Sequence, residues 1–538
     1  MSSGLMQLIA YGAQDIYLTG NPQITFFKVV YRRHTNFSIE TIEKPFSGNI
    51  KLGNKIIAEI TRGADLASRV FLKIIINQID PNGSNFAWIR RLGHAIICKA
   101  ELKLGGSAID RQYGTWIDIW YELARQGDHE IGYAKMIGDI DILTNYDTNI
   151  KPQYVLYIPL QFWFNRYIGL AIPLIALQYN KVYIDLQLED AEKLAVYDCN
   201  FDVSKISILD ASILVDYVYL DTEERRRFAQ VGHEYLIEQI QWNGEELVQD
   251  PVRKYRLDFN HPTKELFWAM KNGNYISGKD FLFYSNKDEW PIDEAACSIV
   301  NQSISIGFDP SDVNDGNWTE VPPNTIQTVG TFNVNNESDS SVYVNPESVK
   351  DGSYGITSQI NVDITIKEDL TILCENVETT LTVRDLSIPV ELLNDTRYNA
   401  CDPKVYQFNN YGVLIDGTVN PVQWALIQFN GQDRLDRREG TYYNNVQPEQ
   451  HHENTPRDGI NVYSFAIFPE EHQPSGTANL SRIDQNDLTV WFADPTKTPT
   501  NPDLNLFNNE NRFFVYAMNY NILRFMSGMA GLAYAGLQ

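Results

Sequence analysis

The sequence predicts an all-β chain built as two β-sandwich domains, and three observations predict it. The chain has 538 residues, more than one hydrophobic core organises. It holds 30 Tyr, 25 Phe and 10 Trp, planar side chains that pack well on pleated faces. Both halves show apolar residues recurring with a period of two, the signature of a strand with one face in a core. At 43% hydrophobic the composition also suits packed cores and is unlike that of a disordered chain.

In the first half, Val182, Ile184, Leu186 and Leu188 alternate with Lys181, Tyr183, Asp185 and Gln187. In the second, Ile360, Val362, Ile364 and Ile366 repeat the pattern. Shorter strand-like runs are Ile56–Ile60, Val70–Ile76, Ile213–Leu220, Tyr235–Trp242, Leu381–Ile388 and Leu488–Phe492. Turn clusters such as Asp80-Pro81-Asn82-Gly83 separate them. Helical spacing is scarce; Trp116, Ile119, Trp120 and Leu123 predict one short helix. Regular βαβ alternation is missing, which argues against a Rossmann or TIM-barrel architecture, and many strands with turns between them fit sandwiches or jelly rolls.

A break is predicted at Asp221–Arg227, a charged run read as a solvated linker or short connecting helix. Between Asn301 and Tyr354 the chain becomes rich in Asn, Asp, Ser and Gly and reads as a long surface insertion.

The formal net charge is −25, from 69 acidic and 44 basic residues, a surface that repels phosphate backbones and disfavours general nucleic-acid coating. The first 60 residues are the exception, with six Lys/Arg against four Asp/Glu. Five dispersed cysteines (Cys98, Cys199, Cys297, Cys374, Cys401) form no C-x-x-C pair and read as reduced thiols. Met1–Tyr11 shows no secretory signal pattern, and Tyr167–Leu177, interrupted by Pro173, is too short to span a bilayer.

The chemical motifs are near-misses. Gly273–Lys279 copies the first seven positions of a phosphate-binding loop, but Asp280 stands where a hydroxyl must meet magnesium, and Phe281–Tyr284 continues as a strand. His451 and His452 are adjacent in a polar stretch (Gln447–Asn454) that reads as an exposed loop without metal-ligand spacing. Asp309–Gly316 resembles a calcium loop, but counting back from Gly316 puts Ser311 and Val313 where ligand carboxylates belong. No G-x-S-x-G occurs and no carboxylate pair is singled out among the 69 acids, so no catalytic, cofactor or metal residue is nominated. Asn-x-Ser/Thr triplets begin at Asn36, Asn82, Asn301, Asn317, Asn336, Asn394 and Asn479; host glycosylation is not expected without a secretory signal.

Longer stretches carry a specific likeness. Tyr11–Phe37 (Tyr-Gly-Ala-Gln-Asp-Ile-Tyr-Leu-Thr-Gly-Asn-Pro, continuing to Arg32-Arg33-His34-Thr35-Asn36-Phe37) closely resembles the N-terminal segment of the major capsid proteins of nucleocytoplasmic large double-stranded DNA viruses. Ile158-Pro-Leu-Gln-Phe-Trp-Phe-Asn165, leading into Gly169–Tyr179, is similar to the family's segment near the end of its first jelly roll. Asn260–Trp268, Ser475–Asp484 and the tail Tyr516–Tyr534 resemble second-domain and closing elements.

The resemblance implies a double jelly roll: two tandem eight-stranded antiparallel jelly rolls with long loop insertions and a few short helices. The corresponding division is an N-terminal arm at 1–27, jelly roll 1 at 28–220, a linker at 221–234, and jelly roll 2 at 235–538 with a loop insertion at about 300–356. It implies a structural, non-enzymatic protein of the virion, self-assembling as a homotrimer of pseudo-hexagonal outline that tiles an icosahedral shell. Implied partners are other copies of itself, minor capsid proteins on the inner face and a nearby internal membrane, with assembly in the host cytoplasm. No cofactor and no sequence-specific nucleic-acid binding are implied. The arm reads either as a strap on the shell's inner face or as a first strand completing its own domain. A competing reading is a virion-surface β-sandwich binding host glycans through Trp318, Tyr343 and Tyr354.

Overall fold

The computed structural model describes residues 34–198, 200–273, 409–413, 417–493 and 511–534, together with short strand segments between 282 and 405. The arm at 1–27, the Gly273–Asp280 motif beyond its first residue, the Asp309–Gly316 loop and the Ile360–Ile364 strand pattern lie outside the described residues. So do the side chains of Trp318, Tyr343 and Tyr354 and most of the 300–356 insertion.

Eight strands of residues 37–220 build the two main sheets, beside three shorter ones: β1 (Phe37–Pro45), β2 (Lys55–Ile60), β3 (Leu66–Ile76), β4 (Ile97–Leu104), β5 (Ser107–Gln112), β6 (Tyr154–Pro159), β7 (Val182–Leu188) and β8 (Ile208–Leu220). They form two antiparallel sheets, sheet I in the order β1-β8-β3-β6 and sheet II in the order β2-β7-β4-β5. Beyond them, eight strands form the paths of two further sheets: β9 (His233–Leu247), β10 (Val252–Arg256), β11 (Pro262–Lys271), β12 (Val422–Phe429), β13 (Gln432–Asp433), β14 (Asn461–Ser464), β15 (Asn486–Phe492) and β16 (Arg512–Met526). Sheet III runs β9-β16-β11-β14 and sheet IV β10-β15-β12-β13. Adding eight to each strand number converts the first sandwich's order into the second's, so one jelly-roll topology occurs twice.

Alternation explains which face each strand buries. On β3, Val70, Leu72, Ile74 and Ile76 are all but inaccessible, while Phe71, Lys73 and Ile75 between them are only half-buried. On β7, Val182, Ile184, Leu186 and Leu188 are buried as the sequence predicts. Asp185, expected on the polar face, is buried as well. Lys55 and Lys103 close over it at 2.8 and 2.7 Å, and their aliphatic stems shield it from water.

The predicted helix is α1 (Gly114–Ala124), which buries Trp116, Ile119, Trp120 and Leu123. Its first residue has to be glycine, because a Cβ on Gly114 would stand 2.2 Å from the His94 carbonyl oxygen. Helix α2 (Glu130–Ile137) follows it, and α3 (Thr222–Gln230) lies between the two sandwiches in sequence, capped by Asp221 and with no buried residue. At the predicted turn, the Ser84 N–H donates to the Pro81 carbonyl at 3.2 Å. No helix among the described residues is long and apolar enough to cross a membrane.

Candidate assembly surfaces

The two sandwiches meet across the outer face of sheet III. Along β16, Phe513, Val515 and Ala517 face the sandwich's own core, while Phe514, Tyr516 and Met518 join the core of the first sandwich. On β11, Leu266, Trp268 and Met270 turn inward and Phe267 and Ala269 outward in the same way. Helix α1 and the residue before it fill this outer face. The Trp116 ring lies 5.0 Å from Phe267 and 5.7 Å from Tyr516, and Tyr113 lies 4.6 Å from Trp242. Burying each such ring contributes roughly 1.5–3 kcal/mol. The β5 edge adds polar contacts to β9: the Gln239 amide donates to the Ile109 carbonyl, and the Ile240 N–H to Asp110 at 3.1 Å. Burial pushes the Asp110 carboxyl up to about 7, against the backbone N–H groups that hold its charged form.

Two ionic clusters cross this seam. In the first, Asp118 on α1, fully buried, accepts from Arg91 and from Arg457 of the second sandwich, each at 2.8 Å. His94 stands 3.0 Å from the same carboxylate and 2.7 Å from the Tyr133 hydroxyl. Glu122, one turn along α1, lies 2.5 Å from Arg91 and 3.0 Å from Arg457. Burial alone would raise the Asp118 carboxyl; the two guanidiniums and His94 outweigh it and hold it well below the usual carboxylate range.

In the second cluster, Arg166 of the first sandwich meets the buried Glu238 of β9 at 2.8 Å, and Lys264 of β11 pairs with the same carboxylate. Burial works against the Glu238 charge, but Arg166 and Lys264 prevail and lower its pKa. Beside it, His452 is held between Glu265 at 2.9 Å and Glu470 at 2.8 Å. Burial would lower the imidazole; the two carboxylates overcome it and raise its pKa to about 9. The Tyr167 hydroxyl donates to the Glu470 carbonyl at 2.7 Å.

His452 corrects the expectation of an exposed loop: Gln447–His451 is helical, and the His452 side chain has no accessible surface. Arg225–Arg227 lie on exposed α3, where Arg225 pairs with Asp65 at 3.0 Å. Apart from His452, sequence reasoning singled out none of the seam's charged residues, though two signals were present. Lys264-Glu265 directly precedes the apolar run Leu266–Met270 on the same strand, and Asp118 and Glu122 share a helix face at i, i+4. Among the described residues no group of three or more His, Cys, Asp or Glu is placed to hold a metal ion.

The remaining outer faces differ in character. Sheet II carries a lattice of ion pairs in which Arg111 and Lys103 cover Glu101 at 2.6 and 3.3 Å. Sheet IV carries Trp424 and Trp491 side by side, with the Arg437 guanidinium 4.6 and 5.2 Å above their rings. Sheet I presents apolar residues: Phe37 and Ile39 are 58% and 49% exposed, and Tyr157 38%.

The chain matches two families of known proteins. Residues 224–531 match the family described as large eukaryotic DNA virus major capsid protein, and residues 25–221 the major capsid protein N-terminus. It is 41% identical to capsid protein 1 of Acanthamoeba polyphaga mimivirus, covering 99% of this chain and 100% of the relative. Identity to the major capsid protein of Paramecium bursaria Chlorella virus 1 is 32%, with 99% and 100% covered. Among solved structures, the PBCV-1 virus capsid quasi-atomic model superposes with a TM-score of 0.61 at 29% identity, covering 95% of this chain and 100% of that one. The Faustovirus major capsid protein shares the fold at 10% identity, with a TM-score of 0.56 and 96% of each chain covered.

Proposed function

The chain belongs to the large eukaryotic DNA virus major capsid protein family, and from that premise we propose that three copies close into a capsomer of six jelly rolls. Its role is structural, in the virion capsid, and not catalytic. The observation that carries the capsomer reading is the repeated strand order held by a buried, charged seam. A chain with two like-shaped barrels in fixed relation offers a three-membered ring six nearly equivalent corners, and closed rings stop growing. Flat tiling of an icosahedral facet then needs only weaker contacts between capsomers.

The proposed division is jelly roll 1 at 28–220, a linker at 221–234 and jelly roll 2 at 235–538, with residues 1–27 as an arm. It is supported by sheets I and II drawing their strands from 37–220 and sheets III and IV from 233–526. Lattice contacts between trimers, minor capsid proteins and a membrane on the inner side, and assembly in the host cytoplasm complete the reading. The test is the mass of the purified protein in solution. About three times the 61.6 kDa chain is expected, and a stable monomer sinks the capsomer.

A further inference from the structure

One buried carboxylate at the seam, that of Asp110, has no ion pair among the described residues. Strand β5 carries a bulge: Asp110 faces Leu102 of β4 and Ala108 faces Lys103, which leaves Ile109 as the extra residue. Two consecutive side chains of this edge strand are buried as a result. Ile109 joins the first sandwich's own core, and Asp110, 1% exposed, lies against the second sandwich. Its carboxylate accepts the Ile240 N–H of β9 at 3.1 Å and the Arg111 N–H at 2.9 Å, and the Gln239 amide reaches the Ile109 carbonyl beside it. Asp118, Glu122 and Glu238 all meet guanidiniums at the seam. Asp110 differs, because the nearby arginines are engaged elsewhere. Arg166, whose charge reaches Asp110, pairs with Glu238 at 2.8 Å, and the Arg111 guanidinium pairs with Glu101 at 2.6 Å. A carboxylate taken out of water without a counter-ion favours its proton, and N–H donors offset only part of that cost.

We propose that Asp110 is a proton-operated latch between the two sandwiches: with its proton the β5 edge lies shut on β9, and without it the edge lifts so that the carboxylate reaches water. The latch works near neutrality, because burial pushes the Asp110 carboxyl up to about 7 against the Ile240 N–H, Arg166 and the Arg111 N–H. On the lifted edge the group returns to its ordinary value of 3.8. Between these two values the shut edge holds a proton that the lifted edge has lost, so each rise in pH favours lifting. Above 7 both forms have lost the proton and the effect is complete. From pH 5 to pH 7 lifting becomes about fiftyfold more frequent. The charged and titratable groups around Asp110 keep their state over this range. On its own segment burial pushes the Tyr113 hydroxyl up to about 12, and guanidiniums such as those of Arg111 and Arg166 are always charged. On β4, burial works against the Glu101 charge, but Arg111, Lys99 and Lys103 prevail and lower its pKa. Glu238 on β9 is held low by Arg166 and Lys264 against its burial. In the second cluster His452 loses its contribution between pH 6.5 and 9, a range that begins where the latch is nearly spent.

Hydrogen exchange of the Ile240 amide in the full-length protein reads the lifting, since that N–H donates to Asp110. Rates are measured from pH 5 to 8 and divided by the intrinsic rate of an open amide at each pH. For the unaltered protein the corrected rate is expected to rise about fiftyfold from pH 5 to 7 and to level off above 7. Asp110→Asn keeps a side-chain oxygen of the same reach but cannot ionise, and its corrected rate should stay flat. His452→Gln should keep the rise from pH 5 to 7, which separates the latch from the second cluster. A flat profile in the unaltered protein overturns the latch, and so does an equal rise in Asp110→Asn or the loss of the rise in His452→Gln. Should Asp110→Asn not fold, the profile of the unaltered protein decides by itself. The outcome is independent of how many copies associate, so a failed capsomer reading leaves it standing.

Discussion

Sheets I and III have the same strand order, but their outer faces ended differently. Sheet III is buried on both sides, and its outer face combines large aromatics (Phe267, Tyr516) with charges that are all paired (Glu238, Lys264, Glu265). Sheet I keeps apolar residues, with the Lys73–Glu43 ion pair among them, on an outer face that no other described residues close over. The difference teaches that strand order does not decide whether a face is covered; the neighbour does. Where that neighbour lies in the same chain, charges can be fixed permanently in the interior. Where it arrives later, the face must stay soluble meanwhile, which favours partial exposure and few buried ions.

The sharpest way to break this comparison is to remove a charge at the seam. Asp118→Ala removes one of the two buried carboxylates that Arg91 and Arg457 share and leaves them Glu122 alone; the expected cost is about 3–5 kcal/mol, read from denaturant unfolding. Phe267→Ala in the sheet III face is expected to cost about 3–5 kcal/mol through the cavity it leaves, whereas Ile39→Ala in the sheet I face should change the single chain by less than about 0.5 kcal/mol. Equal losses at the two positions would end the distinction.

The pH dependence sharpens it further. His452 has a folded pKa raised to about 9 against an ordinary 6.5. Its stabilisation is therefore fully present below pH 6.5 and lost as pH rises through 9, a total of about 3 kcal/mol. His452→Gln should flatten the stability profile between pH 6.5 and 9; an unchanged slope would remove the imidazole from the seam's electrostatics. Asp118 runs the opposite way. Its depressed pKa contributes stability present above the ordinary carboxylate range and lost as acid protonates it. The smallest effect is expected on sheet II, where Lys55→Gln breaks a half-exposed pair with Asp185 that Lys103 also holds. The expected change is below about 1 kcal/mol and shrinks with added salt.

What the sequence determined by itself was local and periodic. Val182–Leu188 and the Trp116–Leu123 face each declare their buried side, because one face of a strand or helix must leave water whatever it packs against. The ordered stretches Ile158–Asn165, Asn260–Trp268 and Tyr516–Tyr534 likewise pointed to the family before any fold was known. Only the tertiary structure decided the burial of His452, the pairing of Asp118 with Arg457 across 339 positions, and the fate of the two outer faces. Partners that far apart leave no spacing to read. A charged side chain looks the same in sequence whether water or a facing barrel surrounds it, and its surroundings fix both its pKa and its cost.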